Sequence, residues 1–152
     1  CELFVLHRLS PYPSSRGKPI YLILDPGIAD YLGASLTRKL HITLLNERLC
    51  KNTYTVTKKK QFYYYRSIGK NFIHLIEEDL DGKREAFQLF DIERIKKPDL
   101  ELMHSFLTRN SNTTGSLYAP VPETMIIKKI HIHPWENMAV GESNISPFLV
   151  QP

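Results

Sequence analysis

Apolar residues recur every three or four positions along two stretches of the chain, which is the spacing of one buried helix face. The longer stretch, 36–50, has leucine at positions 36, 40 and 44 and predicts a long amphipathic helix. A second helix is predicted over 98–108, because Pro98 and Asp99 are suited to its first turn. A very short helix is expected over 28–32, since Asp25 just before it can cap the free amides of a helix start.

Between these helices the pattern changes to alternation and to short runs of β-branched and aromatic residues, which are typical of strands. The predicted strands are 3–9, 19–24, 61–67, 72–78, 85–93, 116–119 and 125–133. An Asp-Gly pair at 81–82 predicts a hairpin between the fourth and fifth of them. Period-two alternation in the fifth strand puts Asp91 and Glu93 on the face that carries Phe87.

The order of these elements predicts an α/β fold with a mixed central sheet flanked by helices. A chain of 152 residues is long enough for one domain with a sizeable core. Residues 1–35 are expected to form connecting strands and a short helix that lead into the core. The core itself is expected over 36–135, followed by a loosely packed C-terminal tail over 136–152.

Charge is distributed unevenly along the chain, although the net charge is only +4. Residues 1–70 carry 12 Lys and Arg against 4 Asp and Glu, whereas residues 71–152 carry 8 against 12. A basic half of this kind is typical of proteins that bind phosphate-rich partners, because lysines release counterions from nucleic acid. An ordinary solvated surface is the more common explanation of such a charge balance.

The strongest nucleic-acid candidates in the basic half are Lys58, Lys59 and Lys60, which precede an aromatic strand with Tyr64 and Arg66. Lysines can contact phosphates while aromatic rings stack on bases. The alternative interpretation is a Lys-rich turn ahead of a half-buried strand, which needs no ligand.

Several common sites and locations receive no support from the sequence. The chain has no phosphate-binding GxxxxGK[ST] loop and no GxSxG nucleophile motif. His131 and His133 share a strand face, but two histidines without a third ligand are weak support for a metal site. Two cysteines, and no apolar run long enough for a bilayer, favour a reduced, cytoplasmic protein without membrane contact. Because the chain begins at Cys1, we expect it to be part of a longer protein.

The order helix, strand, hairpin, helix, strand is that of the αβββαβ, restriction-endonuclease-like core of the PD-(D/E)XK nucleases. More specifically, the chain resembles the nuclease-like C-terminal domain, of unknown function, of bacterial and archaeal AAA-type ATPases. The resemblance runs from about Leu3 to Trp135. It rests on five motifs, namely Pro11-Tyr12, the run 19–28, Leu45-Asn46-Glu47, the run 63–67 and the run 90–98.

The resemblance implies a nuclease site in which a helix acid, an Asp on the first hairpin strand and a Glu-x-Lys on the second hold a divalent metal. Glu47 matches the helix acid, but His74 stands for the Asp and Asp91-x-Glu93 for the Glu-x-Lys. A histidine removes a hard oxygen ligand, and a glutamate reverses the charge that orients the attacking water. The implied site is therefore degenerate, and we assign it no catalytic residue and no metal.

The leading hypothesis is a non-catalytic C-terminal interaction domain of an AAA-type ATPase that recruits a nucleic-acid or protein partner. The resemblance implies that its partners include the ATPase and winged-helix parts of the same parent protein, with DNA as a further candidate. It also implies that ATP binds elsewhere in the parent, so this chain needs no cofactor. Two alternatives remain open: a divergent nuclease that uses Mg²⁺ with Glu47, Asp91 and Glu93, and a purely structural packing domain.

Overall fold

Eight strands form one mixed sheet in the computed structural model of this chain, which describes residues 6–54, 59–69 and 71–138. The strands are β1 (Leu6–Pro11), β2 (Ile20–Ile23), β3 (Gln61–Arg66), β4 (Phe72–Glu78), β5 (Arg84–Leu89), β6 (Thr113–Ala119), β7 (Met125–Ile127) and β8 (Ile130–Pro134). The α-helices are α1 (Pro26–Tyr31), α2 (Leu36–Tyr54) and α3 (Glu101–Arg109). Short 3₁₀ turns span Lys97–Leu100 and Trp135–Met138.

The strand order in the sheet is β2-β1-β3-β4-β5-β6-β8-β7. Strands β3, β4 and β5 form an antiparallel meander, and β6 lies parallel to β5 after the chain crosses over through α3. Strand β8 is parallel to β6, and antiparallel hairpins β1–β2 and β7–β8 complete the two ends. The predicted α/β class with a mixed sheet is therefore confirmed.

Each face of the sheet has its own apolar core. On one face, Leu44 and Leu45 of α2 pack against Phe87 and Tyr118. On the other face, Met103 and Phe106 of α3 belong to the second core, whose remaining members are mostly strand residues. Burying each large side chain contributes about 1.5–3 kcal/mol, so these two helix stripes supply much of the drive to fold.

Local signals in the sequence explain where α1 and the β4–β5 hairpin begin and end. The Asp25 carboxylate accepts the Ile28 N–H at 2.9 Å, as predicted, and Pro26 occupies the first turn. In the hairpin, the Asp79 carboxylate accepts the N–H groups of Asp81 and Lys83, while Gly82 adopts a φ of 76°. A positive φ costs glycine little, which is why this turn forms where the Asp-Gly pair predicts it.

The prediction that β5 extends to Glu93 is wrong. Leu89 is its last residue, and Asp91 and Glu93 lie exposed in the segment that leads to the Lys97–Leu100 turn. Burying Asp91 and Glu93 beside Phe87 would remove two carboxylates from water, so the chain leaves the sheet after the Phe90 N–H bonds to the Tyr118 carbonyl. Asp91 and Glu93 consequently share no strand face with Phe87.

The prediction of a single strand over 125–133 is also wrong. The chain forms the β7–β8 hairpin, in which Lys128 and Lys129 turn the backbone with φ values of 51° and 67°. Such values are strained for lysine, and turns of this type normally contain Asn or Gly. The sequence therefore carries no signal for this turn.

Two strands within the first 35 residues, β1 and β2, belong to the central sheet. Strand β1 pairs with β3 through Ser10–Tyr63 and Pro11–Tyr64, and Leu9 and Leu22 lie in the core on the α2 face. Of the predicted tail, only residues 136–138 are described. No described helix combines the length and apolar character that a membrane span requires.

Gly115 of β6 tests how closely α3 packs on the sheet. A Cβ atom there would lie 3.0 Å from Leu107 Cδ1 and 3.1 Å from Met103 Sδ. We expect Gly115→Ala to lower the free energy of unfolding by about 1–3 kcal/mol, because the packed Met103 and Leu107 side chains must move to accept the methyl group. The matched control is Gly69→Ala, whose nearest neighbour, Ser67 Oγ, is at 3.9 Å. Urea unfolding should separate the two variants, and equal stabilities would show that the α3 contact is loose.

Candidate functional site

Charged side chains converge where α2 crosses the β4–β5 hairpin. Glu77 of β4 and Glu85 of β5 are register partners, so their side chains leave the same face of the sheet. This is the face covered by α2, because Phe87, two residues after Glu85, packs in the α2 core. Arg48 reaches the two carboxylates from α2.

Arg48 bridges the two strands of the hairpin. Its Nε lies 3.6 Å from Glu77 Oε1, and its Nη1 lies 3.8 Å from Glu85 Oε2. The guanidinium also lies 4.4 Å from the centre of the Phe87 ring, a cation–π contact. Lys60, the residue just before β3, pairs through its Nζ with the second oxygen of Glu77 at 2.6 Å. We call Glu47, Arg48, Lys60, Glu77 and Glu85 the Arg48 cluster.

The centre of the Arg48 cluster is withdrawn from water, whereas the Glu85 and Lys60 side chains at its edge are 29% and 39% exposed. The Glu77 side chain is 2% exposed and that of Arg48 is 16% exposed. Burial lowers the pKa of Arg48, but the neighbouring Glu77 and Glu85 outweigh it, so its pKa is raised overall. A buried ion pair of this kind holds together because removing either partner leaves an uncompensated charge.

Glu47 extends the cluster along α2. Its Oε1 lies 2.7 Å from Lys51 Nζ one turn further along the helix, and its charge also helps to raise the pKa of Arg48. The phenol of Tyr118 lies close enough to feel the same charges, and burial raises its pKa. Three carboxylates and three cations therefore neutralise one another at this crossing.

A polar pocket of about 350 Å³ lies beside the cluster. Ionic side chains of both signs, including Lys60, Glu77 and Glu85, line one side of it. Ser116 and His131, which are register partners on β6 and β8, line the other. Next to α2, the face of the sheet that carries Glu77 and Glu85 is therefore open to small polar molecules.

The structure separates the residues that the resemblance proposed as a nuclease site. Glu47 belongs to the Arg48 cluster, His74 is buried elsewhere against α2, and Asp91 and Glu93 lie exposed beyond β5. Among the described residues, no three or more His, Cys, Asp or Glu side chains are arranged to hold a metal ion. The predicted acid cluster of Glu47, Asp91 and Glu93 does not form.

Sequence reasoning missed Glu77 and Glu85. A signal was available, because a hairpin centred on Asp81 must pair residue 77 with residue 85. Two acids at paired positions of two apolar strands would have identified Glu77 and Glu85 as neighbours on one face of the sheet. Their cationic partner on the helix could not have been identified in the same way, because helix-to-sheet contacts follow no fixed register.

The nucleic-acid candidates of the aromatic strand have different environments. Tyr64 is 2% exposed, stacks on Phe72 and donates its hydroxyl to the Lys18 carbonyl at 2.7 Å, so no ring face is free to stack on a base. Lys60 is engaged by Glu77. Lys59 and Arg66 are exposed, and Lys58 lies outside the described residues. Among the candidates that the structure describes, only Lys59 and Arg66 have the accessibility that the prediction requires.

A second polar site lies nearer the start of α2. Tyr63 pairs with Ile76 and Tyr65 with Ile73, so β4 carries one extra residue, a β-bulge at positions 74–75. The bulge directs His74 towards α2, where its ring centre is 5.3 Å from that of His41. The Leu89 N–H donates to His74 Nδ1 at 3.1 Å. Burial lowers the pKa of His74 to about 3 and that of His41 to about 4.

Comparisons with known proteins assign the chain to no family. No protein-family model matches it, and no curated protein or solved structure is significantly similar to it.

Glu77 and the adjacent Glu78 provide a matched test of the Arg48 cluster. Both pair with an arginine, but the Glu78 side chain is 22% exposed and its partner Arg84 21% exposed. We expect Glu77→Gln to cost about 3 kcal/mol or more of unfolding free energy, because it leaves Arg48 buried with less counter-charge. Glu78→Gln should cost about 1 kcal/mol or less. Equal losses in urea unfolding would contradict a stabilising role for the buried pair.

The buried histidines should make the fold sensitive to acid. Between pH 6.5 and about 3, the unfolded chain binds protons that the folded chain excludes from His41 and His74, so stability falls as pH falls through this window. His74→Asn should keep an acceptor for the Leu89 N–H and remove one titrating group. Urea midpoints measured from pH 7 to 4 should therefore fall less steeply for this variant. An unchanged slope would show that other groups cause the acid sensitivity.

Proposed function

We propose that this chain is a non-catalytic interaction domain of a larger AAA-type ATPase, built on a restriction-endonuclease-like core. The succession of α2, the antiparallel β3–β4–β5 meander, α3 and the parallel strand β6 supports this assignment. It is the order and pairing expected of an αβββαβ nuclease core. The described part of the chain adds β1–β2 and β7–β8 at the two ends of that core.

The position of Arg48 carries the non-catalytic part of the proposal. A nuclease of this architecture uses acidic groups on its central hairpin to hold a divalent cation. Here the paired carboxylates of Glu77 and Glu85 face the guanidinium of Arg48, and Lys60 takes the second oxygen of Glu77. Mg²⁺ needs near-octahedral oxygen coordination, which this arrangement does not fit while both cations are present. Two residues after Glu85, where a Glu-x-Lys pattern would have lysine, the chain has Phe87.

Exposed apolar side chains support a protein partner. Six of them belong to β1, β2 and the segment from α1 to the start of α2, where Tyr31 is 90% and Leu32 63% exposed. The others are Leu6, Tyr21, Ile28 and Leu36. Apolar groups in water favour a protein contact over a polyanion. The resemblance suggests the ATPase and winged-helix parts of the same parent as that partner.

A divergent metal-dependent nuclease is the second candidate, favoured by one observation. Glu47, Glu77 and Glu85 all lie close enough to Arg48 to raise its pKa. Should Arg48 leave the cluster when substrate binds, three carboxylates would become available to a divalent cation. Lys60 would then remain as the nearby cation.

Incubation with supercoiled plasmid in Mg²⁺ or Mn²⁺ separates the two candidates. We expect no metal-dependent nicking by the wild-type chain, because Arg48 and Lys60 already neutralise the carboxylates. Glu85→Gln is the appropriate control variant, since Glu85 is partly exposed and its loss should leave the fold intact. Nicking by the wild type that disappears in Glu85→Gln would replace the non-catalytic proposal with the nuclease.

Two binding measurements test the choice of partner. The separately purified ATPase part of the parent should bind the wild-type chain and lose affinity for Tyr31→Ser/Leu32→Ser. Salt-dependent binding to a labelled DNA duplex should be absent. DNA binding that is lost in Lys59→Glu/Arg66→Glu, but kept in the charge-matched Lys97→Glu/Arg109→Glu, would replace the protein partner with nucleic acid. Failure of every binding arm would leave a structural packing domain.

A further inference from the structure

A pocket of about 350 Å³ at the start of α2 collects positive charge without a counter-charge. Arg38 of α2 and Arg66 of β3 line it, together with the buried His41 and His74. Ser35, Thr37 and Phe72 complete the lining that the described residues provide, and none of these side chains is acidic. We call this cavity the Arg38–Arg66 pocket.

The basic groups around the pocket disfavour one another's positive charge. Burial lowers the pKa of Arg38, and the Arg38 charge in turn helps to lower the pKa of both His41 and His74. Two exposed arginines beside two largely buried histidines are stabilised by an anion more than by any other ligand. The pocket therefore has the charge of an anion site.

The first turn of α2 adds donors of the right kind. The early N–H groups of a helix lack intrahelical partners and lie at the positive end of its dipole. Ser35 marks this start, since its hydroxyl accepts the Arg38 N–H at 3.3 Å. The helix runs for 19 residues, so its dipole is fully developed at this end.

A buried nitrogen atom of His41 supports a ligand in this pocket, independently of the helix start. It is 1% exposed, and its Nε2 has no hydrogen-bond partner among the described residues. A buried polar atom without a partner costs about 1–3 kcal/mol and is rare in folded proteins. The groups that face it are Arg38 on its own helix and His74 on β4, with Arg66 of β3 in the same pocket. A hydrogen bond to the His74 backbone favours a proton on the His41 ring, but burial and the Arg38 charge outweigh it. Because the charged groups that face His41 are all basic, an anion in the pocket would favour the proton on Nε2.

We propose that the Arg38–Arg66 pocket binds a phosphate group, with both arginines as ligands, and that His41 Nε2 takes up a proton on binding. Arginine presents paired N–H donors that match the oxygens of a tetrahedral anion. The cavity is larger than one phosphate, and the Phe72 ring in its wall provides an apolar surface for the group attached to it. A nucleotide and the phosphate end of a nucleic acid share this chemistry.

Sulfate and inorganic phosphate are the first probes, measured by calorimetry with the full chain. We expect Arg38→Gln/Arg66→Gln to weaken both at least tenfold, because the two charged ligands are lost. The matched control, Arg94→Gln/Arg109→Gln, removes the same charge from exposed positions elsewhere and should bind like the wild type. Equal affinity of all three proteins would overturn the site.

Proton uptake is tested with sulfate, whose own charge is constant between pH 7.5 and 5.5. Wild-type affinity should rise several-fold over this range, and His41→Asn should remove the rise. Should His41→Asn fail to fold, the nitrogen resonances of His41 in the labelled wild type supply the readout. They should shift to the protonated form on addition of sulfate. A ring that stays neutral in the sulfate complex would overturn the coupling.

The source of the phosphate group is decided by competing ligands. A mononucleotide and a single-stranded oligonucleotide, with and without a 5′-phosphate, are titrated against the wild type and the Arg38→Gln/Arg66→Gln variant. Tighter binding of the mononucleotide identifies a free nucleotide, and a gain from the 5′-phosphate identifies a nucleic-acid end. Plasmid nicking and ATPase binding test the proposed function without altering either arginine, so their failure is distinguishable from failure of the pocket. The duplex-binding arm shares Arg66 with the pocket, and the Arg38→Gln variant alone separates the two.

Discussion

The contact between α2 and the β4–β5 hairpin organises the rest of this molecule. Its apolar part, Leu44 and Leu45 against Phe87, buries one face of the sheet. Its ionic part places Arg48 between Glu77 and Glu85 and so fixes the helix against both strands of the hairpin. Apolar burial supplies most of the free energy, but it tolerates small shifts of the helix. A buried ion pair tolerates fewer, because each displaced charge loses its partner.

The same contact has polar sites of opposite character near its two ends. At the hairpin, carboxylates and cations neutralise one another, as the non-catalytic proposal requires. Towards the start of α2, basic side chains gather without acids, and a buried imidazole nitrogen lacks a partner among the described residues. Charges that neutralise one another are expected to stabilise the fold, whereas charges without a counter-charge are expected to bind a ligand. We therefore propose ligand binding at the second site rather than at the nuclease-like position.

Much of the local structure was predictable because it depends on neighbours in sequence. The leucine spacing located α2, the Asp-Gly pair located the hairpin, and Asp25 located the start of α1. The end of β5 was not predictable from alternation, because Asp91 and Glu93 keep the period of a strand while lacking a core to face. The Lys128–Lys129 turn was missed for a related reason, since tertiary pairing of β6 with β8 imposes it on residues that disfavour it.

The sequence by itself determined the class of fold, the two helix stripes and the basic character of the first half, because periodicity and composition are local properties. The candidate site could not be predicted from such local properties. Glu77 and Glu85 could have been paired from the hairpin, but the arrival of Arg48 depends on where α2 crosses the sheet. The meeting of His41 with His74 depends in addition on a bulge in β4. Contacts between a helix and a sheet follow from side-chain packing rather than from a backbone register, so only the tertiary structure decided which charges meet.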